Sequence, residues 1–155
     1  MSKEIKPGMS VIVRTTARLT VGFILLYGIY IFSHGHVSPG GGFAGGIIVA
    51  LSFINLMLAY GKEVTLKKLP RGVTTFFEEL GALIFLSIAL LGFTGGYFFL
   101  NFIAKGEPFR LFSAGIIPLC NIAISLKVGA GIFAIFTALV LLKFDLNRED
   151  QEDER

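Results

Sequence analysis

A lysine inside the last apolar run, Lys127, is the residue best placed to do chemistry in this sequence. The run covers about 113–142 and is long enough to cross a hydrocarbon core of roughly 30 Å. Lys127 lies near its middle, where a lysine costs roughly 2.5–3.5 kcal/mol. Either interface is about 20 Å away along a helix, which is too far for snorkelling. We therefore predict that Lys127 contributes to a proton or ion path, or to a charge contact with a partner.

Two carboxylates, Glu78 and Glu79, are the only ones close to a long apolar run. The predicted helix starts near residue 76, so both lie in its first turn, where negative charge stabilises a helix N-terminus. They would then lie roughly 16 Å along the axis from the middle of that helix, and a direct pair with Lys127 would need an unusual offset. The expectation is that Lys127 faces another subunit or water, with Glu78 and Glu79 as further ion-path candidates.

Two histidines, His34 and His36, stand two positions apart after the first apolar run. They point to different faces of a helix but share one face of an extended chain. Imidazole titrates near neutral pH, so proton exchange is one interpretation. The other is that both satisfy hydrogen bonds in a loop at the membrane interface. No third ligand is nearby, so we predict no metal site, and we find no catalytic constellation and no cofactor motif.

The composition places these residues in a membrane protein. Hydrophobic residues make up 54% of the 155 residues and charged residues only 16%, against about a quarter in ordinary globular chains. The apolar residues are gathered into runs of about twenty, which predicts an all-α, polytopic integral membrane protein. We predict one membrane domain over 1–155, with four transmembrane helices at about 11–33, 43–61, 76–103 and 113–142 and a charged tail at 143–155.

A glycine-rich stretch, HGHVSPGGGFAGG at 34–46, lies between the first two runs. Proline fixes φ whereas glycine leaves it free, and this mixture indicates a sharp reversal between helices. Gly41 and Gly45 are four apart, as are Gly42 and Gly46. Small residues at this spacing allow a second helix to approach closely.

The distribution of basic residues predicts the orientation. With four spans, both termini and the middle loop share one side, which holds eleven of the fourteen lysines and arginines, whereas the other side holds Lys105 and Arg110. Positive charge favours the cytoplasm, so we predict a multi-pass protein of the plasma membrane with both termini cytoplasmic. The net charge of +3 is too small to indicate a nucleic-acid partner.

Two motifs carry a family resemblance. GHVSPGGGFAGG resembles the GH-x-x-PGGGF-x-GG signature of the MnhB/MrpB family, and NIAISLKVGAGI at 121–132 resembles its second hallmark, a lysine-Val-Gly-x-Gly segment in the last helix. The two motifs are in the expected order within four predicted spans. The matching signature and helix-packing positions are Pro39, Gly40, Gly41, Gly42, Phe43, Gly45, Gly46, Lys127, Gly129 and Gly131.

The resemblance implies a subunit of an Mrp-type cation/proton antiporter. Such a subunit supports coupled Na+ and H+ translocation together with other Mrp-type membrane subunits, and it is not an enzyme by itself. Related subunits occur in archaeal membrane-bound hydrogenase and sulfane reductase complexes, which is an alternative reading. A purely structural helix-packing subunit is a second alternative. A stand-alone transporter is a third, and it is disfavoured because no Asp or Glu is predicted in the middle of a span.

Overall fold

The chain forms a helical bundle in which four helices are long and apolar enough to cross a membrane. The computed structural model describes residues 9–103 and 114–153, and these parts contain no strand. The helices are α1 (Val11–Ser33), α2 (Gly41–Tyr60), α3 (Lys62–Lys68), α4 (Arg71–Leu91) and α5 (Ile117–Asp153). Four candidate spans cover Val11–Ser33, Gly41–Tyr60, Arg71–Gly95 and Ile117–Lys143. The predicted all-α class with four transmembrane helices is confirmed.

Helix α5 is the element on which the bundle assembles. Both α2 and α4 pack along it, and α1 packs mainly against α2. The end of α2 lies beside the start of α1, where the Tyr60 hydroxyl donates to the carbonyl of Arg14 at 3.4 Å. By contrast, α2 and α4 hardly touch each other. A groove therefore remains between them, with α5 as its floor.

The third predicted helix, 76–103, was misplaced at both ends. The span begins at Arg71, directly after Pro70, because proline is accepted just before or at the first position of a helix. It ends in a 3-10 turn over Gly92–Gly95, and Gly96 follows with a left-handed φ of 102°. A left-handed glycine is a common helix terminator. The cluster of glycines therefore ends this helix well before residue 103.

The other boundaries differ less. Helix α2 starts at Gly41 and ends at Tyr60 instead of covering 43–61, and α5 starts at Ile117, with Pro118 in its first turn. Residue 113, the predicted start, lies outside the described residues. Helix α5 does not stop at 142 but continues to Asp153, so most of the predicted tail is helical. The short helix α3 lies in a segment that was predicted to be a loop.

Small residues hold the helices together. Among the residues that the structure describes, most of the buried apolar ones are alanines: Ala17, Ala50, Ala59, Ala89 and Ala123. Large apolar side chains such as Phe23, Leu83 and Leu139 point outward. Interfaces between membrane helices are enriched in small residues because lipid supplies no hydrophobic drive for association. The outward apolar surface is thus the one expected toward lipid or neighbouring subunits.

Candidate functional site

An ion pair joins α4 and α5. Lys127 Nζ lies 3.5 Å from Glu78 Oε1. Both side chains are partly open, with 51% of Lys127 and 38% of Glu78 exposed. In a membrane span such exposure turns the charges toward a neighbouring subunit or a water-filled space, since lipid would not solvate them. The structure therefore brings together two of the predicted ion-path residues.

The pair corrects the prediction that Lys127 has no partner within this chain. Glu78 was expected in the first turn of its helix, but α4 begins at Arg71, so Glu78 lies two turns further in. The helix also ends early, near Gly95, which moves the middle of the span toward Glu78. Glu78 and Lys127 consequently lie at the same depth. Glu78 is a carboxylate within a span, so the sequence argument against a stand-alone transporter fails.

One glycine allows α4 and α5 to approach closely beside the pair, and a second faces it. A methyl group added at Gly81 would lie 2.7 Å from the backbone nitrogen of Lys127, a distance that real Cβ atoms do not reach. On the other helix, a methyl group at Gly131 would lie 3.6 Å from Glu78 Oε1. Each charged residue thus lies opposite a glycine of the facing helix. Gly131 was predicted as a packing residue, whereas Gly81 was missed because no motif marks it.

The chemistry available to the pair is that of two groups that can each hold a proton. An ammonium and a carboxylate in contact carry no net charge, so they are tolerated together in the bilayer more readily than either alone. When the two groups separate, the carboxylate attracts a cation or a proton and the ammonium attracts an anion. Glu79, next to Glu78, is exposed on α4 and is not part of the pair.

The two histidines lie in the turn that follows α1. His34 donates from Nδ1 to the carbonyl of Tyr30 at 3.0 Å, and its ring lies 4.3 Å from that tyrosine ring. His34 is the C-cap residue of α1, so this hydrogen bond lies at the end of that helix. His36 is half-buried in the same turn. Within the part of the chain that the structure describes, no three His, Cys, Asp or Glu side chains are arranged to hold a metal ion.

The glycine-rich stretch is fastened to α5 by Asn121. Gly40 and Gly41 have φ values of 108° and 54°, which allow the chain to reverse and enter α2. The next N–H, that of Gly42, donates to Asn121 Oδ1 at 3.2 Å. Asn121 is only 8% exposed. Asn121 is also the first residue of the second motif, so this hydrogen bond links the two motifs.

The glycines of α2 face two different neighbours. Gly42 and Gly46 lie against α5, where a methyl group at Gly46 would be 2.8 Å from the carbonyl oxygen of Ser125. Gly45 lies against Phe32 and Gly28 of α1, and Gly129 of α5 lies against Gly46. At these positions neighbouring helices lie too close to leave room for a larger side chain. Phe43 and Pro39 are exposed instead, so they do not pack within this chain.

These two motifs and the four spans define a class of membrane subunit. Residues 12–134 match the family described as "Domain related to MnhB subunit of Na+/H+ antiporter". The chain belongs to this family. MnhB-type subunits are in general non-catalytic membrane subunits.

Similar proteins come from bacteria and archaea. An uncharacterized protein of Methanocaldococcus jannaschii is 36% identical over 132 residues, which is 78% of this chain and 48% of the relative. A Staphylococcus aureus protein named as antiporter subunit mnhB2 is 45% identical over 60 residues, which is 39% of this chain and 43% of the relative. The matched segment thus spans about half of each relative or less.

A solved structure has the same fold. One chain of the membrane-bound sulfane sulfur reductase, an archaeal respiratory membrane complex, superposes with a TM-score of 0.74 and 35% identity. The match covers 86% of this chain and 59% of that chain. The structural relative is a subunit of a multisubunit membrane complex, as the resemblance implied.

Proposed function

We propose that this chain acts inside an Mrp-type assembly that exchanges Na+ for H+, with Lys127 and Glu78 contributing to the polar path. The observation that carries the proposal is their ion pair, 3.5 Å apart, half-exposed and within two candidate spans. Charged side chains within a span normally face protein or a water-filled cavity instead of lipid. An open pair leaves room for a neighbouring subunit to supply the remaining wall of a path.

In the proposed mechanism, the ion pair between Lys127 and Glu78 separates and re-forms. When a cation or proton enters the neighbouring path, Glu78 turns toward it and Lys127 is released. When the ion leaves, the pair closes again. The linkage is electrostatic, because the low dielectric of the membrane interior makes each charge strongly dependent on its neighbours. The chain itself binds no cofactor in this scheme and catalyses no covalent step.

The proposed setting is the plasma membrane with both termini in the cytoplasm. Support comes from the positive charge near the Met1 end and around α3, which includes Lys67 and Arg71. The partners are other Mrp-type membrane subunits, and the transported ions of the complex are Na+ and H+. His34 and His36 then lie at the outer surface as further candidates for the ion path.

A second candidate is the equivalent subunit of a redox-driven archaeal complex. The observation that favours it is the likeness to a chain of the sulfane sulfur reductase complex over 86% of this chain. The same pair would serve there, because ion movement follows the same electrostatics whatever drives it. Mass spectrometry of the intact native complex separates the two candidates, since only the second contains redox subunits.

The test of the ion-path role is Lys127→Met in the assembled complex, reconstituted into vesicles. This variant keeps the aliphatic stem and removes the charge, so Na+ uptake driven by a pH gradient should fall to background while assembly persists. Lys143→Met is the matched control, because Lys143 is an exposed lysine at the end of the same span. Normal transport by Lys127→Met would refute the role.

A further inference from the structure

The groove between α2 and α4 is explained neither by the ion pair nor by the glycine motifs. Its inner part encloses about 240 Å³ and is lined almost wholly by apolar atoms. Phe53, Phe77 and Phe133 contribute one aromatic side chain from each of α2, α4 and α5. This volume is several times the roughly 30 Å³ of one water in the liquid, yet the walls offer water almost no polar partners. The inner part therefore suits a hydrocarbon chain.

Toward the connection between α3 and α4 the groove becomes polar. The outer part encloses about 310 Å³ and shares Leu69, Thr74 and Phe133 with the inner part, so the two are continuous. Arg71 and Thr137 also line it. Thr137 is 3% exposed, and its hydroxyl has no hydrogen-bond partner among the residues that the structure describes. A buried hydroxyl without a partner costs stability, and a ligand that reached it would remove this cost.

We propose that the groove binds one anionic membrane phospholipid. Its acyl chain fills the inner part, and its phosphate lies at Arg71 in the outer part. Arg71 is the first residue of its span, at the level of a membrane interface, and a guanidinium suits a phosphate because its planar fork can bind two oxygens. The order of apolar pocket, buried hydroxyl and cation follows the order of groups along a phospholipid. A neighbouring apolar helix would fill the inner part but supply no anion for Arg71.

The test uses the assembled complex in phosphatidylcholine vesicles that contain a trace of phosphatidylglycerol with a photoreactive acyl chain. After illumination, peptide mass spectrometry locates the labelled residues. We expect labelling to concentrate at the start of α4 and in 125–133 of α5, and to compete with unlabelled phosphatidylglycerol. One arginine should favour the anionic probe about fivefold over a phosphatidylcholine probe with the same photoreactive chain.

Three variants decide the result. Arg71→Gln should abolish the preference for the anionic probe, whereas Lys67→Gln should keep it, because Lys67 is exposed nearby but does not line the groove. Ala130→Phe, which fills the inner part, should lower labelling by both probes. The proposal is overturned by even labelling around the bundle, by an unchanged preference in Arg71→Gln, or by cross-links that place a neighbouring subunit's side chain in the groove. The Arg71 result stands even if Ala130→Phe does not assemble.

Discussion

Asn121 of α5 supplies the cap that α2 lacks, because its Oδ1 accepts the N–H of Gly42 at 3.2 Å. The first N–H groups of a helix have no partner within the helix. Here the N-cap residue is Gly40, which has no side chain to provide one. The glycines that allow the reversal and the close packing thus leave the Gly42 N–H without a local acceptor, and α5 supplies one. Six residues further along α5 is Lys127, so one helix both fastens the glycine motif and carries the charge.

Removing this cap should destabilise the bundle. Asn121→Leu leaves the Gly42 N–H without its acceptor, and we expect a loss of about 1–3 kcal/mol, as for other buried unsatisfied groups. Asn121→Asp should retain most of the stability because it keeps an acceptor oxygen at a helix N-terminus. Thermal unfolding in detergent measures both. Asn55→Leu, at a half-buried asparagine of α2, is the comparison, and an equal loss there would argue against a capping role.

Enlarging Gly46 should separate α2 from α5. A methyl group there would lie 2.8 Å from the carbonyl oxygen of Ser125 and 3.0 Å from the side chain of Val128. We expect Gly46→Ala to cost about 1–3 kcal/mol through overpacking, and Gly46→Leu to prevent incorporation of the subunit into its complex. Co-purification with a tagged neighbour measures the latter. Gly22→Ala meets open space, so a similar loss in that variant would contradict the packing explanation.

Neutralising Glu78 should affect stability and transport in separable ways. Glu78→Gln leaves Lys127 without its countercharge, and the loss should not exceed the roughly 2.5–3.5 kcal/mol of a lone lysine at a helix centre. The double variant Glu78→Gln with Lys127→Met should recover stability but not Na+/H+ exchange. Glu79→Gln is the neighbouring control. If the double variant transported normally, the pair would be structural only.

The orientation can be measured by cysteine labelling. In a Cys120→Ser background, Val37→Cys places a thiol at an exposed position of the turn between α1 and α2. Lys67→Cys places one at an exposed position of α3. A membrane-impermeant maleimide applied to intact cells should label the first and not the second, and permeabilised cells should show both. The reverse pattern would mean that both termini face outward.

The sequence was informative where composition or spacing alone decides the structure. Runs of about twenty apolar residues predicted the four spans, and glycines four apart predicted close helix contacts such as that of Gly46 with α5. These features depend on local patterns, because the bilayer sets the length of a span. Lys127 could be singled out in the same way, because it is a charged residue within an apolar run.

The partner of Lys127 was missed because depth in the membrane depends on helix boundaries. Placing the start of α4 five residues late was enough to put Glu78 at an interface instead of beside Lys127. The fit of Gly81 against Lys127 and the groove between α2 and α4 depend on which helices are neighbours. That arrangement follows from packing of distant segments, which no local pattern in one sequence specifies.

The close approach of Gly81 to the Lys127 backbone restricts how α4 can move along α5. Sliding α4 along α5 by one turn would bring Phe77 or Phe85 to the level of Gly81, against the Lys127 backbone, which leaves no space for a ring. Helices α4 and α5 are therefore expected to keep their register along one another. Under the proposed function, charge at the pair would be displaced by rotation of the two side chains or by movement of the two helices together.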